Sequence, residues 1–487
     1  MSKQYVRFLV RRYRSLIVFF FAVYLLVSLL FAQPNEPMNR FYDISAAAGI
    51  LAVCACYVLP VVLFSFVHRR SSADVYHALP IKRSHHRCSI LFFSFAVIFG
   101  YYLITVLFGW LLYGIGNVSV MFLLTVLLYE AFMITVLLHV NSALYLLGNN
   151  VLDGIVILAA YTMFVLPCFL AASLITERMI AGVDSLRYGQ LSMCLSPAYV
   201  LLHNYIVLVS NHRLLSTDIN YMYLLLGVLY GLLGRFGMKK EFDERNSERA
   251  EAISDHPFAY PAVINLYAAV MLGVIASSAI ADRGTDSLAA YLAILVCYIA
   301  GTFLYRRKIE LDVKRIALFA AEAVSILLLM WVCWKTRGFG AAERYELNRG
   351  YVLCYEYSAS VNEENLGEPY TGEQEANVQF SIYFSTNELD RYREVIDILE
   401  QNRHRAIDSF YRRYAGWSAY LRAYNREKAS DRIINDYNYR PEVLLSEEEL
   451  KTISRYTEVT VSDYGNYEHW QGNDVSLEEY LAYRDRS

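Results

Sequence analysis

Long apolar runs constrain this chain more than any other feature of its sequence. Each run approaches the roughly 20 residues that a helix needs to cross the hydrocarbon core of a bilayer. A backbone surrounded by lipid must satisfy its own hydrogen bonds, which favours helices for runs of this length. The sequence therefore predicts an all-α polytopic membrane bundle of about nine helices. The predicted spans are residues 16–32, 46–67, 89–113, 118–140, 151–174, 221–238, 262–281, 288–305 and 316–334.

The composition agrees with a membrane protein rather than a set of soluble domains. Apolar residues make up 56% of the 487 residues and charged residues only 19%, whereas soluble domains carry about 25% charged residues. Residues 1–336 contain 26 Lys and Arg against 19 Asp and Glu, and residues 337–487 contain 18 against 28. A net charge of −3 gives no sign of a nucleic-acid partner. We expect the lipid bilayer to surround most of the chain, and we expect no nucleic-acid partner.

Loop charges predict the orientation of the spans. The connecting segments expected on one side contain 20 Lys and Arg, and the opposite segments contain only five. The positive-inside rule then places the N-terminus in the cytoplasm, and an odd number of spans places residues 335–487 outside the cell membrane. The turn 141–150 is cytoplasmic in this arrangement although it has no Lys or Arg. That turn is the weakest point of the predicted topology.

A long segment, 175–220, lies between the fifth and sixth predicted spans on the outer side. It contains the apolar stretch 199–210, which is interrupted by His203 and Asn204 and is too short to cross a bilayer alone. We expect a hairpin or re-entrant helix there, with its backbone shielded by protein. The alternative is a tenth span, which would place the acidic C-terminal domain in the cytoplasm.

The C-terminal part is predicted to fold as a small α+β soluble domain over residues 335–487. Residues 351–357 and 378–384 are rich in β-branched and aromatic residues, as strands are. Ser385 and Glu388 have the spacing of a capping box that opens a helix. Ser446 and Glu449 repeat that spacing and predict the start of a second helix.

The cytoplasmic loop 68–88 contains a short amphipathic segment. Ser71 or Ser72 can cap a short helix, and Pro80 would end it. Its apolar residues on one expected face are Val75, Tyr76 and Leu79. Such a helix, lying parallel to the membrane, would suit a groove on a soluble partner. The alternative interpretation is an ordinary basic loop of a membrane protein.

Two stretches of the chain carry a family resemblance. Tyr76-His-Ala-Leu-Pro-Ile-Lys-Arg83 resembles the aromatic-His-Ser-Leu-Pro-Ile/Val-x-Arg signature of permease subunits of exporter-type (ABC-2-like) ABC transporters from Gram-positive bacteria. The stretch Glu244-Arg-Asn-Ser-Glu-Arg-Ala250 is similar to the Arg-x-Ser-Glu-x-Ala-Gly stretch of the same family. The chain departs from the family pattern at Ala78, where Ser is usual, and at Glu251, where Gly is usual.

The resemblance implies an order of domains. A cytoplasmic interfacial helix would come first, then a six-span exporter-type domain with the coupling loop and the re-entrant segment, a cytoplasmic loop, three additional spans and the outer α+β domain. The implied ranges are 1–15 for the interfacial helix, 16–238 for the six-span domain with its coupling loop 68–88 and outer segment 175–220, 239–261 for the loop, 262–334 for the additional spans and 335–487 for the outer domain.

The resemblance also implies partners. A separate ABC ATPase subunit would dock on the coupling loop, and a second permease chain would complete a homodimer or heterodimer. The sequence contains no phosphate-binding P-loop, so ATP would be hydrolysed by the other polypeptide and this chain would not be an enzyme. We expect no cofactor and no metal. The residues predicted to couple to the ATPase are Asp74, Tyr76, His77, Leu79 and Pro80.

Glu130 is a predicted intramembrane polar site. It lies centrally in the fourth span, where a charge costs at least about 2.5–3.5 kcal/mol. It could contact cargo from a cavity or a dimer seam, or it could be a protonated or hydrogen-bonded group that joins helices. Four histidines also cluster around the coupling loop, but they lack Cys, Asp or Glu at ligand spacing and do not indicate a metal site. These are His68, His77, His85 and His86.

Together these features favour the transmembrane permease subunit of an ATP-driven exporter, with a peptide, a lipid or an amphipathic drug as its cargo. The alternative is a membrane-anchored sensor or scaffold whose outer domain binds an envelope ligand without transport. A secondary transporter is disfavoured, because the sequence shows no evident internal repeat and no matching pair of broken helices in two halves.

Overall fold

The computed structural model describes most of the chain. The described residues are 3–30, 37–77, 81–115, 117–181, 185–210, 220–252, 254, 256–281, 287–306, 313–342, 352–362, 375–385, 390–412, 419–425, 430–436, 444–463 and 475–484. Contacts divide the chain into two units. The first comprises Met1–Phe169, Gln190–Tyr267 and Tyr298–Leu311, and the second comprises Leu170–Gly189, Ala268–Cys297 and Asp312–Ser487. Each unit contains a hydrophobic core of its own.

Helices account for nearly all the regular structure before residue 342. Several begin at a polar cap: the side-chain oxygens of Ser119, Asn150 and Asn220 accept backbone N–H groups of the first turn of the helix that follows. The helices are α1 (Lys3–Arg12), α2 (Arg14–Leu30), α3 (Pro37–Phe64), α4 (Arg70–His77), α5 (Arg83–Gly109), α6 (Val120–Leu146), α7 (Val151–Met163), α8 (Val165–Met179), α9 (Ser185–Ser192), α10 (Pro197–Ser210), α11 (Tyr221–Asp243), α12 (Tyr260–Ala281), α13 (Ser287–Arg306) and α14 (Val313–Lys335).

Eight of the described helical segments are long and apolar enough to cross a membrane. They coincide with the second to ninth predicted spans, and α7 and α8 together form one of them. These segments confirm a multi-pass membrane protein. The first predicted span forms α2, whose apolar part, Arg14–Val27, is shorter than the others. Residues 31 and 32 of that predicted span lie outside the described residues, so the first span, and with it the total of nine, stays a prediction.

The outer segment contains the helix that the sequence predicts. Two helical segments, Gly189–Leu195 and Pro197–Ser210, meet at Ser196 with a bend of 108°. The bend has a local cause, because Pro197 occupies the first helical position and the Ser196 hydroxyl accepts the N–H of Tyr199 at 3.2 Å. A bend of this size suits a re-entrant hairpin or a broken span, and the re-entrant position stays a prediction.

Helices α6 and α11 of the first unit approach closely through glycines on α11. A Cβ atom at Gly234 would lie only 2.7 Å from the backbone nitrogen of Val140. Three glycines at near-helical spacing, Gly227, Gly231 and Gly234, all meet side chains or backbone of α6 or α10 at short distance. Small residues of this kind let helix backbones pack in lipid, where hydrophobic association between helices is weak.

The C-terminal region of the second unit is an antiparallel sheet with helices, which confirms the predicted small α+β domain. The six strands run in the order β4-β3-β1-β2-β5-β6. They are β1 (Val352–Asn362), β2 (Glu375–Ser385), β3 (Ala419–Asn425), β4 (Ser430–Asp436), β5 (Val459–Asp463) and β6 (Val475–Ser476), and the helices are α15 (Arg393–Arg412), α16 (Glu447–Ser454) and α17 (Leu477–Arg484).

Alternate residues of the central strands make the core of this domain. Tyr357 of β1 is paired with Phe380 of β2, and their rings stack at 5.3 Å. Both are buried with Val395 of α15 and Leu450 of α16. The second predicted capping box is confirmed, because the Ser446 hydroxyl accepts the N–H of Glu449 at 3.3 Å and the Glu449 carboxylate accepts the N–H of Ser446 at 2.8 Å.

The first predicted capping box gives a different outcome. Glu388 lies outside the described residues, and α15 begins only at Arg393, after a turn at residues 390–392. The predicted helix start directly after Ser385 falls on residues 386–389, which lie outside the described residues, and the described helix begins at Arg393. Ser385 itself is the last residue of β2, where it pairs with Val352, because strand pairing extends one residue further than the sequence pattern indicates.

Helix ends meet in the second unit around a small apolar cluster. Met179 at the end of α8, Ala281 at the end of α12 and Cys333 near the end of α14 are buried together. These three ends share the outer side in the predicted topology. The α+β domain is attached here, since Tyr411 of α15 donates its hydroxyl to the Met179 carbonyl at 3.1 Å and packs against Trp334 with ring centroids 5.0 Å apart.

Candidate functional site

Helix α4 is the predicted coupling helix, and the structure forms it over Arg70–His77. Two of the predicted coupling residues, Leu79 and Pro80, lie outside the described residues, and so does the side chain of His77. Asp74 is exposed on α4, next to Val75, whose side chain is 64% exposed. The described part of α4 therefore offers an apolar side chain and a carboxylate to a partner.

Tyr76 points the other way. Its ring lies 4.1 Å from the ring of Phe66 and 5.6 Å from that of His86, and it shares the inward face of α4 with the buried Ala73. The sequence predicts Val75 and Tyr76 on one face toward the partner, and the structure separates them. Consecutive residues on a helix are about 100° apart. Tyr76 therefore packs against the helix bundle, whereas Val75 is exposed.

Tyr76 belongs to an aromatic cluster that joins several helix ends. We define this cluster as Tyr5 of α1, Phe64 and Phe66 at the end of α3, Tyr76, His86 of α5 and Phe242 of α11. His86 lies at its centre, with ring centroids 4.4 Å from Tyr5, 5.4 Å from Phe66 and 5.8 Å from Phe242. Such aromatic pairs contribute about 0.5–1.5 kcal/mol each beyond their buried area. A displacement of α4 would therefore disturb α1, α3, α5 and α11 together.

The Tyr5 hydroxyl is hydrogen-bonded to Nε2 of His86. Burial raises the pKa of the Tyr5 hydroxyl well above its usual value, so the phenol stays neutral and can donate its proton to the imidazole. The contact ties the N-terminal helix to α5. Sequence analysis predicts α1 only as an interfacial helix, because an 81-residue separation between Tyr5 and His86 leaves no local signal.

A buried arginine joins the loop after α11 to the turn between α6 and α7. Arg245 is only 2% exposed, and it donates to the carbonyl oxygens of Leu146 at 2.7 Å and Gly148 at 2.9 Å. Burial lowers the pKa of the Arg245 guanidinium to about 10, so the group remains charged at neutral pH. The turn 141–150, which has no Lys or Arg of its own, thus receives a positive charge from another segment.

The two stretches that carry the family resemblance contact each other. Arg83, at the end of the first stretch, donates to the carbonyl oxygens of Asp243 at 3.0 Å and Arg245 at 2.9 Å. Arg70 of α4 donates to the Ala250 carbonyl at 3.1 Å, and Arg87 forms an ion pair with Asp243 at 3.2 Å. Arg70 thus connects α4, and Arg83 and Arg87 connect the start of α5, to the end of α11 and the loop after it.

Glu251 has a backbone conformation that usually favours glycine, the residue found at this position of the pattern that the chain resembles. Its φ angle is +65°, in the left-handed region that costs a residue with a Cβ atom about 1–2 kcal/mol. Glycine adopts this region freely, which accounts for the Gly that is usual at this position. The N–H of Glu251 donates to the Asn149 carbonyl at 2.9 Å and holds the residue there.

A polar cavity of about 500 Å³ lies beside the Arg245 contacts. Among its lining residues, His256 Nε2 lies 3.2 Å from the Glu241 carboxylate, and Asn149, Asn246 and Arg249 complete the polar wall. Sequence analysis does not single out Glu241 or His256. A Glu near a helix end and a His in the following loop are common in membrane proteins, and their separation along the sequence does not predict that they meet.

The described histidine side chains of the coupling loop, those of His68, His85 and His86, do not converge. His68 packs edge-on against Tyr145, with centroids 4.6 Å apart, and lies 3.4 Å from a guanidinium nitrogen of Arg245. His86 lies in the aromatic cluster instead, and His85 is exposed. Within the described ranges, no group of three or more His, Cys, Asp or Glu side chains is placed to hold a metal ion.

Glu130 is completely buried in the first unit, at 0% exposure. It therefore does not face a dimer seam in this conformation, contrary to one of its predicted placements. Neither carboxylate oxygen has a hydrogen-bond partner among the described residues, so the predicted role in joining helices by a hydrogen bond has no support there. Nearby, the Tyr102 and Tyr205 hydroxyls bond to each other at 2.9 Å, and Tyr205 donates to the Ser45 carbonyl at 2.6 Å.

Comparison with known proteins gives no relative for this chain: no protein-family model, no curated protein and no solved structure matches it. The functional argument consequently rests on the quoted motifs and on the contacts among the helix ends.

Proposed function

We propose that this chain is the transmembrane permease subunit of an ATP-driven exporter, and that a separate ABC ATPase docks on the exposed face of α4. One observation carries the proposal: the two stretches that resemble the permease family, 76–83 and 244–250, are bonded together through Arg83. These contacts connect the loop to the end of α11, which transmission of force from a docked ATPase would require.

The docking surface that we propose is Asp74 and Val75 on α4. Val75 is an exposed valine on a helix whose other face is packed, so it can insert into an apolar pocket of a partner. Asp74 beside it would contact the polar rim of that pocket. Interfaces typically depend on a few anchors of this kind, each contributing about 2 kcal/mol or more on truncation. Leu79 and Pro80, which lie outside the described residues, keep their predicted role in the same surface.

Tyr76 has a different role in this proposal. Because its ring packs on Phe66 and His86, it would carry a push on α4 into the aromatic cluster rather than bind the ATPase. Close-packed interiors transmit displacements because they have few voids to absorb them. Arg83 and Arg245 would extend the same motion to α11 and to the turn between α6 and α7. Small displacements at a helix interface can thereby select between two packings of a bundle.

Co-purification with the ATPase tests this proposal. The full chain would be expressed with a P-loop ATPase encoded beside it and extracted in a mild detergent. We expect the two chains to purify together, and Val75→Asp to weaken the complex at least tenfold, or about 1.4 kcal/mol. The matched control is Val313→Asp, since Val313 is also an exposed valine of a described helix. Purification of the native chain without an ATPase would contradict the proposal.

The sensor or scaffold is the second candidate, and one observation favours it. The α+β domain is fixed to helix ends by Trp334, Tyr411 and an ion pair of 2.8 Å between Arg337 and Asp408. A ligand bound by that domain could therefore act on α8 and α14 without any transport. Isolation of the chain with an envelope ligand, and with no ATPase, would favour this function.

A further inference from the structure

We propose that Glu130 is the acceptor for the positive charge of a lipophilic cation inside the membrane bundle. The inference rests on the proposed exporter function and names the class of cargo. Its starting point is the burial of Glu130 near the middle of α6 without any hydrogen-bond partner among the described residues. A carboxyl group in such a position is expensive in a membrane protein and is characteristic of substrate or ion pathways.

The groups that face Glu130 are neutral. The described groups that interact with its carboxyl are phenols and a thiol from α2, α3, α5, α6 and α10, and none of these groups is basic. The groups in electrostatic contact with the Glu130 carboxyl are Tyr24 from α2, Cys56 from α3, Tyr102 from α5, Tyr205 from α10 and Tyr129 beside it on α6. The charged residues of α11 all lie in its later turns, from Arg235 to Asp243. Glu130 therefore has no counter-ion in this group and carries a proton in the closed bundle.

The surroundings of Glu130 suit an organic cation. Four of the groups that interact with the carboxyl are tyrosines, and aromatic rings attract cations most strongly where water is excluded. An apolar cavity of about 430 Å³ opens between α3 and α7, and Tyr57, the residue after Cys56, lines it. Its wall is otherwise aliphatic apart from Thr162, which suits the hydrocarbon body of an amphiphile. A cargo with an apolar body and a positive charge matches both features.

Helix α10 is the part of the bundle that can uncover Glu130. The Tyr205 ring fits against Gly49 of α3 so closely that a Cβ atom there would lie 2.4 Å from it, and the Tyr205 hydroxyl donates to the Ser45 carbonyl. When α10 separates from α3, water reaches Glu130 and takes its proton, and the carboxylate then binds the cation. On closure the cation leaves and a proton from water returns to the carboxylate.

Binding of tetraphenylphosphonium to the purified full chain tests the proposal. Equilibrium dialysis in detergent should show affinity at least tenfold weaker in Glu130→Gln than in the native chain. Glu322→Gln should bind as the native chain does, because Glu322 is only half-buried, in α14. Tetraphenylborate, an anion of the same shape, should show no loss in Glu130→Gln. Equal binding of the cation by the native chain and Glu130→Gln would overturn the proposal.

The pH dependence gives a second readout. Because a proton and the cation compete for one carboxylate, native affinity should fall as the pH is lowered, and Glu130→Gln should bind independently of pH. Proton uptake at Glu130 without cation binding would identify a protonation site only and overturn the proposal. If Glu130→Gln does not fold, the same measurements are made on Glu130→Asp, which keeps the carboxylate. A folded Glu130→Asp variant that binds tetraphenylphosphonium no better than tetraphenylborate would overturn the proposal. Dialysis needs no ATPase, so failure of the exporter function is detected separately by co-purification.

Discussion

Helix ends are held together in both units of the chain, but by different contacts. In the first unit, Arg83 and Arg245 donate to backbone carbonyls of distant segments, and Arg87 pairs with Asp243. In the second unit, Met179, Ala281 and Cys333 meet through apolar contact beside Trp334. Charged hydrogen bonds depend on distance and angle and weaken sharply when either changes, whereas apolar contact depends mainly on buried area.

This difference bears on which set of contacts would change during the proposed transport cycle. A set of directional bonds has defined alternatives, because a guanidinium that leaves one carbonyl must find another. An apolar cluster tolerates small sliding with little change in free energy. In the proposed exporter, the arginine contacts around α4 would switch, and the cluster around Trp334 would remain a stable attachment.

Replacing Arg245 by Ala should break the first set of contacts and have the largest effect. The change leaves the carbonyls of Leu146 and Gly148 without their donor inside the bundle. Two bonds from a charged group contribute about 1.5–3 kcal/mol each, so we expect a loss of at least about 3 kcal/mol. The thermal unfolding midpoint of the purified chain, followed by tryptophan fluorescence, measures it.

Two other variants control this prediction. Arg249→Ala removes an exposed arginine from the same loop and should change the midpoint little. Arg245→Lys should give an intermediate midpoint, because an ammonium group cannot present the forked donors of a guanidinium to two carbonyls at once. A midpoint for Arg245→Ala equal to that of Arg249→Ala would mean that these bonds do not hold the helix ends.

Replacing Trp334 by Ala probes the apolar attachment and should have a smaller effect. Loss of a fully buried large aromatic side chain costs about 3–5 kcal/mol, and Trp334 is only partly buried, so we expect about 1–2 kcal/mol. Limited proteolysis of the full chain should release the α+β domain faster. In Arg337→Ala the rate should barely change, since that ion pair is about 40% exposed on both sides. A larger effect from Arg337→Ala would reverse the comparison.

Replacing Glu251 by Gly should stabilise the first set of contacts slightly, and this is the smallest effect that we predict. Removal of the left-handed strain at φ +65° gains about 1–2 kcal/mol, and the greater freedom of Gly in the unfolded chain offsets about half of it. We expect a rise in the unfolding midpoint equivalent to about 0.5 kcal/mol. Glu248→Gly, at an exposed residue of the same loop, should lower the midpoint instead. A fall in Glu251→Gly would show that the Glu side chain itself is needed.

The sequence predicts the elements whose cause is local. Eight apolar runs form helices of membrane-crossing length. They could be predicted because the number of consecutive apolar residues directly gives the length of a helix that can lie in lipid. Ser446 and Glu449 form the predicted capping box, since both partners of that motif lie within four residues. The helix at Pro197–Ser210 follows from an apolar stretch that begins directly after Ser196 and Pro197.

The contacts of the candidate site could not be predicted, because their partners are far apart in the chain. The sequence places Tyr76 on an apolar face but does not state whether the bundle or a partner covers that face. Arg245 and the turn that it binds are 99 residues apart, so the uncharged turn 141–150 gives no sign of its donor. The sequence identifies Glu130 as costly in the membrane, yet its lack of a hydrogen-bond partner depends on which side chains four other helices bring near it.

The separation between Arg245 and its acceptors has a consequence for biosynthesis. When Leu146 and Gly148 are added to the nascent chain, the turn between α6 and α7 carries no positive charge, and Arg245, which will bind their carbonyls, lies 97 to 99 residues further along the sequence. In the proposed orientation, retention of that turn in the cytoplasm becomes secure only when α11 has been inserted and the loop after it can fold back. The turn between α6 and α7 is thus held in place only after α11 has been made. A nascent chain that stops before residue 245 lacks the arginine that binds this turn.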